Sequence, residues 1–298
     1  MAQIIESIPN ISEGRNTDVI EACVDQIRTT AGCTLLNYSS DPNHNRTVIT
    51  YIGNAQGVHE ASVKLAKKAA ELIDLTKHTG EHPRMGAVDV MPFVPIKDAS
   101  IEDCVELSKV VGKEIAEEAN IPVFLYEYSA TRPERQNLAT IRKGQFEGMA
   151  EKVKEPDWCP DFGGARIHPT AGVVAVGCRP PLVAYNINLE TSDVNIAKEI
   201  ATKIREKDGG YKNIKAMGFM LEDRNIAQVS MNMTNFNVTG LYTITEAVRK
   251  LAEEAGTKVI GTEMIGLCPM KALIDAAESY LAIENFDFDG QVLENYIL

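Results

Sequence analysis

The residues best suited to chemistry lie in Gly80-Glu81-His82-Pro83-Arg84-Met85-Gly86, where a carboxylate, an imidazole and a guanidinium fall within four positions. Proline disfavours the helical conformation for the residue before it, so His82 is held out of any helix. The flanking glycines permit a tight turn and a close approach of backbone to a ligand. An imidazole in such a loop can exchange protons near neutral pH. The same composition also suits a polar turn facing water, and the local sequence leaves both readings open. Of the other histidines, His59 and His78 fall on or at the end of a long helical pattern, where packing or solvent-facing roles are expected. His44 sits in the polar turn Asp41-Pro42-Asn43-His44-Asn45-Arg46.

His168 belongs to the glycine-rich run Gly163-Gly164-Ala165-Arg166-Ile167-His168-Pro169-Thr170-Ala171-Gly172. That run lacks the Lys-Ser/Thr ending of a P-loop and the strand-to-helix setting of a dinucleotide fingerprint. It reads either as backbone able to approach a flat or extended ligand, or as a flexible interdomain connection. A metal site is poorly supported: His78 and His82 are four apart, but Gly80 and Pro83 keep them off one helix face. No Gly-x-Ser-x-Gly elbow offers a serine nucleophile. The segment Ile8-Pro9-Asn10-Ile11-Ser12-Glu13-Gly14-Arg15 puts polar side chains where the first strand ends. Such a position holds ligand groups at a cleft or serves as a capped turn.

The elements that must position these residues follow from periodicity. Strands are expected at Gln3–Ile8, Thr34–Tyr38, Thr47–Ile52 and Val88–Val94. Helices are expected at Thr17–Arg28 with Asn16 as N-cap, at about Val58–Ile73, and at Ile101–Glu118 behind a Ser100/Asp103 capping box. Ile121–Tyr126 closes this half as a strand, and Ser129–Gly164 shows no period. After Gly172–Gly177 and the Arg179–Pro181 break come a strand at Val183–Asn188, a helix at Val194–Arg205, and strands at Ala216–Leu221 and Ala227–Met233. A helix at Thr245–Glu254, a strand at Lys258–Ile265 and a helix at Met270–Leu281 complete the pattern. Residues 1–94 and 182–266 both read β-α-β-β-α-β, the split βαβ, ferredoxin-like order. An α/β protein of two subdomains, residues 1–180 and 181–298, is expected, with a cleft between them as the default ligand site.

The chain has 298 residues, 44% hydrophobic and 24% charged, an ordinary globular composition with ample core. A formal net charge of −12, with no lysine or arginine run, argues against nucleic acid as a partner. No apolar run approaches the length of a membrane span, and the first residues carry no secretion signal. Six scattered cysteines without a CxxC pair support neither a disulfide framework nor a zinc site, so a reducing cytoplasm is the expected location.

Seven segments taken together carry a family resemblance. They are Ile8–Gly14, Asn45-Arg46-Thr47-Val48, Gly80–Gly86 with Asp89, Trp158-x-Pro160-Asp161-Phe162-Gly163, Tyr185–Leu189, Asn225-x-Ala227-Gln228-Val229-Ser230 and Lys271–Ala277. In that order the chain resembles the glutamate formimidoyltransferase family, the formiminotransferase half of formimidoyltransferase–cyclodeaminase. The resemblance covers nearly the whole chain. It implies transfer of a formimidoyl group between tetrahydrofolate and L-glutamate in histidine breakdown, a folate tunnel between two α/β subdomains, and a homodimer, while the histidine spacing leaves no metal expected. With the chain ending at Leu298, a cyclodeaminase activity is not expected.

The resemblance also places His82 on the family's catalytic histidine and Gly163–Gly172 on its folate-contacting loop. Two departures accompany it. Serines and a Phe-Val-Pro-Ser-Trp-Gly stretch are replaced here by Ala165–Gly172, and an aspartate near residue 39 is replaced by Ser39, with Asp41 nearby. Arg84, Asp41 and Asp89 are expected to assist His82, while Asn10, Arg46 and Glu81 are expected at the substrate. Neutral His82 would accept the proton of the glutamate amine as it attacks the amidine carbon, then return one to the leaving folate nitrogen. Glu81 or Asp89 would orient the imidazole, and Arg46 or Arg84 would grip carboxylates. Transfer of a formyl group, and a folate-binding module without catalysis, are the alternative readings.

Overall fold

The structure is a computed structural model that describes residues 3–222 and 224–296. It divides into two compact units, Met1–Arg179 and Pro180–Leu298. In the first, β1 (Ile4–Ser7) and β2 (Asn10–Ile11) are two pieces of one strand position, interrupted at Ile8-Pro9. Then follow α1 (Thr17–Arg28), β3 (Cys33–Asp41), β4 (Arg46–Gly53), α2 (Ala55–Leu72), β5 (Val88–Lys97), α3 (Ile101–Glu118) and β6 (Val123–Glu127). The short helices α4 (Leu138–Arg142) and α5 (Gln145–Lys152) precede β7 (Val174–Cys178). The β1/β2 position lies between β4 and β5 and is antiparallel to both, with β3 outside β4. Beyond β5 the sheet turns parallel, with β7 inserted between β5 and β6.

Local sequence explains the element boundaries. The Asn16 side chain accepts the amides of Asp18 and Val19 at the start of α1, and Ser100 and Asp103 close a reciprocal capping box on α3. The three long helices cover one face of the sheet over a core that includes Ile27, Ile49, Leu65, Phe93 and Val111. A second apolar layer, Met85, Val90, Phe124, Tyr126, Ile141 and Met149, covers the other face near β5–β7–β6. Residues 88–94 of β5 are consequently buried throughout, Asp89 included. The aperiodic stretch after Ser129 is therefore structured: it supplies α4 and α5, too short for a period count to register.

The second unit runs β8 (Val183–Leu189), α6 (Val194–Ile204), β9 (Ile214–Leu221), β10 (Ile226–Met233), α7 (Leu241–Glu254) and β11 (Val259–Ile265). Its antiparallel sheet has the order β11-β8-β10-β9. The first six elements of unit one have the same order, β5-β1/β2-β4-β3, so the split βαβ order read from element types is realised in both units. A helix α8 (Met270–Leu281) packs on α7, and a short α9 (Phe288–Gln291) follows. Among the described residues no helix is long and apolar enough to cross a membrane.

Candidate active site

Helix α2 ends at Leu72, so His78 does not ride on it. The chain between Ile73 and Ala87 is instead an extended loop, pinned at several points. Leu75 donates its amide to the Thr170 carbonyl, Ala87 donates to Ala171, and Val173 donates to Met85. Ser12 reaches the same loop, its hydroxyl donating to the Gly86 carbonyl at 2.7 Å and its amide to Ala87. Gly86 is needed for this contact, because a Cβ there would lie 2.0 Å from the Val173 oxygen. Gly80 is also tight against its neighbour, with a Cβ there 2.5 Å from the His44 carbonyl oxygen. Asn45, with φ of 50°, knits the remaining pieces by accepting the Gly14 amide and donating to the Thr79 carbonyl. The Ile8–Gly14, Asp41–Arg46, Gly80–Gly86 and Gly163–Gly172 segments thus meet within unit one.

His82 stands at this junction with its side chain 15% exposed. The Arg46 Nη1 atom lies 3.3 Å from each of its ring nitrogens. One donor equidistant from two diverging in-plane lone pairs follows neither, so this contact saturates neither ring nitrogen of His82. Asp89 Oδ2 lies 3.9 Å from Nε2, beyond hydrogen-bond reach, and accepts from Arg142 Nη2 at 2.5 Å. The other Asp89 oxygen accepts the Met85 amide at 2.8 Å. Burial, then Arg46, Arg142 and the other two nearby imidazoles, hold the His82 imidazole far down, at about 3. It is neutral at physiological pH. Burial pushes the Asp89 carboxyl up against the opposing pull of Arg142.

The two arginines expected to grip carboxylates differ sharply. Arg84 is spent: it makes a two-pronged ion pair with Glu147 at 2.6 and 2.9 Å, and donates to Gln145 and to His78 Nδ1. His78 in turn lies 3.0 Å from the Asn45 carbonyl, so it buttresses the loop. Arg46 is half-buried and, among the described residues, has no carboxylate within ion-pair distance. Arg142 spends one nitrogen on Asp89, while its buried Nε has no partner among the described residues. Guanidinium donors so placed suit an anionic ligand.

Of the remaining expected residues, Glu81 is exposed and contributes its amide to the Asn43 carbonyl, so Asp89 is the carboxylate near the imidazole. Asp41 accepts the amides of Asn43 and His44 and faces His44 Nδ1 at 2.9 Å. The Asn10 side chain folds back onto the Ile8 carbonyl. The Gly163–Gly172 run splits in two. Gly163 and Gly164 take positive φ beside exposed Ala165 and Arg166, which is anchored on Asn120. Ile167 tucks towards the second apolar layer. From His168 to Gly172 the backbone closes on itself around Pro169 and Thr170, with His168 Nδ1 accepting the Ala171 amide. Among the described residues no three His, Cys, Asp or Glu side chains converge as metal ligands would.

Comparison with known proteins fits this architecture. Residues 4–179 match the formiminotransferase domain, N-terminal subdomain, and residues 184–292 match the formiminotransferase domain. A glutamate formimidoyltransferase of Streptococcus pyogenes serotype M1 is 59% identical over 298 residues, all of both chains. The chain belongs to the glutamate formimidoyltransferase family. A second family enzyme, from Thermoplasma acidophilum, is 44% identical over 98% of this chain and 96% of its own. The formimidoyltransferase-cyclodeaminase of Mus musculus is also 44% identical, over 94% of this chain, which spans about half (53%) of that longer protein. The site residue that sequence reasoning missed is Arg142. It stands 53 positions from Asp89 in a stretch without periodicity, and no local signal marks it.

Proposed function

We propose that the chain transfers a formimidoyl group between N5 of tetrahydrofolate and the α-amine of L-glutamate, with His82 as the proton-carrying residue. One observation supports this reading most: a neutral, nearly enclosed imidazole sits against a guanidinium that has no carboxylate of its own among the described residues. Glutamate brings two carboxylates, and Arg46 offers a place for one of them. A carboxylate at Arg46 would cancel one of the cations that suppress protonation of His82, so the imidazole becomes a better base once substrate is bound. The amine then attacks the amidine carbon, His82 takes its proton, and the C–N5 bond breaks with a proton returned to N5. Asp89 limits the positive charge around the ring. Arg84, held by Glu147, shapes the loop; Asn10 and Glu81 edge it. The stretch from half-buried Gly163 through exposed Gly164, Ala165 and Arg166 is the part of the glycine-rich run suited to folate, with Ile167 to Gly172 as its footing. A homodimer in the cytoplasm, acting in histidine breakdown without a metal, accords with the family resemblance.

The test is to mix purified protein with tetrahydrofolate and either N-formimidoyl- or N-formylglutamate and follow the folate absorbance. Formimidoyl transfer by wild type, and a loss of about 10²–10⁴-fold in kcat for His82→Gln, is the expected result. A His82→Gln protein with wild-type turnover overturns the role of His82, and inactivity of wild type with both donors overturns the activity.

A further inference from the structure

The transfer moves two protons, one off the attacking amine and one onto the leaving folate nitrogen. His82 is enclosed among cations and is poorly placed to hold an extra proton while it waits to deliver it. A second imidazole stands beside it. His44 lies in the β3–β4 turn, its ring centroid 6.4 Å from that of His82, the two planes tilted by 55°. Its Nδ1 faces Asp41 Oδ2 at 2.9 Å, and the other Asp41 oxygen accepts the amides of Asn43 and His44, so carboxylate and turn are locked together. This is the arrangement in which a carboxylate fixes the tautomer and supports the imidazolium, leaving Nε2 to work. The turn is fixed to the His82 loop by the Glu81 amide on the Asn43 carbonyl and by the close approach of Gly80 to the His44 carbonyl. The His44 side chain is 45% exposed, against 15% for His82, so its ring is open to a ligand.

We propose that His44, held by Asp41, is a second catalytic residue of this site, protonating the folate nitrogen as the C–N5 bond breaks while His82 receives the amine proton. The proposal rests on the transfer reading above. The spacing suits the task. Two nitrogens on one tetrahedral carbon are about 2.4 Å apart, and a hydrogen bond adds about 2.8 Å at each end. The two proton-carrying nitrogens flanking that carbon therefore stand roughly 5–8 Å apart, a span within reach of two imidazoles whose centroids are 6.4 Å apart. The new C–N bond forms and the amine's proton passes to His82. The C–N5 electron pair stays on nitrogen and takes the proton of the His44 imidazolium. Proton exchange from His82 to His44, directly or through solvent, resets the pair. In reverse the two exchange roles.

The experiment compares wild type, His44→Gln and Asp41→Asn by steady-state kinetics with 5-formimidoyltetrahydrofolate and glutamate, with and without added imidazole. The His44→Gln change keeps the backbone amide that binds Asp41, so the turn survives it. For H44Q we expect kcat to fall about 10²-fold, within the range of a lost general acid. Its KM for glutamate should stay within about threefold, since Arg46 is untouched, and imidazole should restore at least about tenfold of the lost rate. Asp41→Asn, which keeps an acceptor for the turn amides but removes the charge, should lose about tenfold. An H44Q kcat within about twofold of wild type overturns the proposal, and so does a loss that imidazole does not repair. A wild type inactive with this pair refutes the transfer reading itself, a distinct result.

Discussion

Replacing His82 with glutamine should abolish a loss of stability that the wild-type protein suffers on mild acidification. The folded imidazole is held at about 3, whereas the unfolded chain returns it to the ordinary 6.5. Because the unfolded state takes the proton first, the contribution of neutral His82 is fully present above 6.5 and drains away as pH falls towards 3. At about pH 5 the unfolded ring is mostly protonated and the folded ring is not. The gap is about 1.5 pH units at about 1.36 kcal/mol each, or about 2 kcal/mol. At 15% exposure the ring needs little discount for solvent screening. His78 and His168 are also held low by burial, but both proteins keep them, so their contributions cancel. Trp158, the one tryptophan, lies in unit one and reports its unfolding directly. Urea titrations followed by its fluorescence, at about pH 8 and about pH 5, should show H82Q gaining about 2 kcal/mol on wild type at the lower pH. A difference between the two proteins that stays constant within about 0.5 kcal/mol would refute the cationic, enclosed setting assigned to His82.

Arg142→Gln leaves buried Asp89 without its cation and should cost unit one about 3–5 kcal/mol in the same urea assay, with much of that regained in the Arg142→Gln/Asp89→Asn pair. Gly86→Ala drives a methyl to within 2.0 Å of the Val173 carbonyl. A loss of at least about 3 kcal/mol and a collapse of turnover are expected from unfolding curves and kinetics. Glu147→Gln should cost under about 1 kcal/mol and leave kcat within about twofold, because the Glu147 side chain is 64% exposed.

What can be read from the sequence divides along physical lines. Elements long enough to show a period, such as α1, α3 and the strands of both units, are set by local signals: Asn16 and Ser100 cap where side-chain chemistry says they must. The equivalence of the two β-α-β-β-α-β runs is legible from element order, and hydrogen-bonded register gives both the same strand sequence in space. His82 is legible because proline and glycines leave a loop mark. Its setting is not. That Arg84 is consumed by Glu147 while Arg46 is not depends on α5, eight residues in an aperiodic stretch. The family resemblance offers Asp41 as a helper of His82 in place of an aspartate near residue 39, yet an Asx-type turn claims one oxygen for backbone amides and hands the other to His44. Side-chain pairing across tens of residues carries no periodic trace.

The electrostatics of the site then explain why a chain of net charge −12 keeps guanidiniums where it does. A surface of negative charge repels glutamate and folate, both anions, so any binding must be local. Around His82 the charges are Arg46 and Arg142 against Asp89, already committed to Arg142 at 2.5 Å, and Asp41, already committed to the amides of its turn and to His44. The balancing negative charge is thus one the ligand can bring. Two unit charges about 4 Å apart near a protein surface interact by about 4 kcal/mol, so a carboxylate bound at Arg46 would offset the part of the depression that this cation contributes, burial remaining the larger cause. Anion binding and base strength are therefore coupled through one guanidinium. Burial and the unbalanced Arg46 together keep the imidazole neutral and weakly basic, and in the proposed reaction the proton affinity of His82 would rise when the group to be deprotonated arrives.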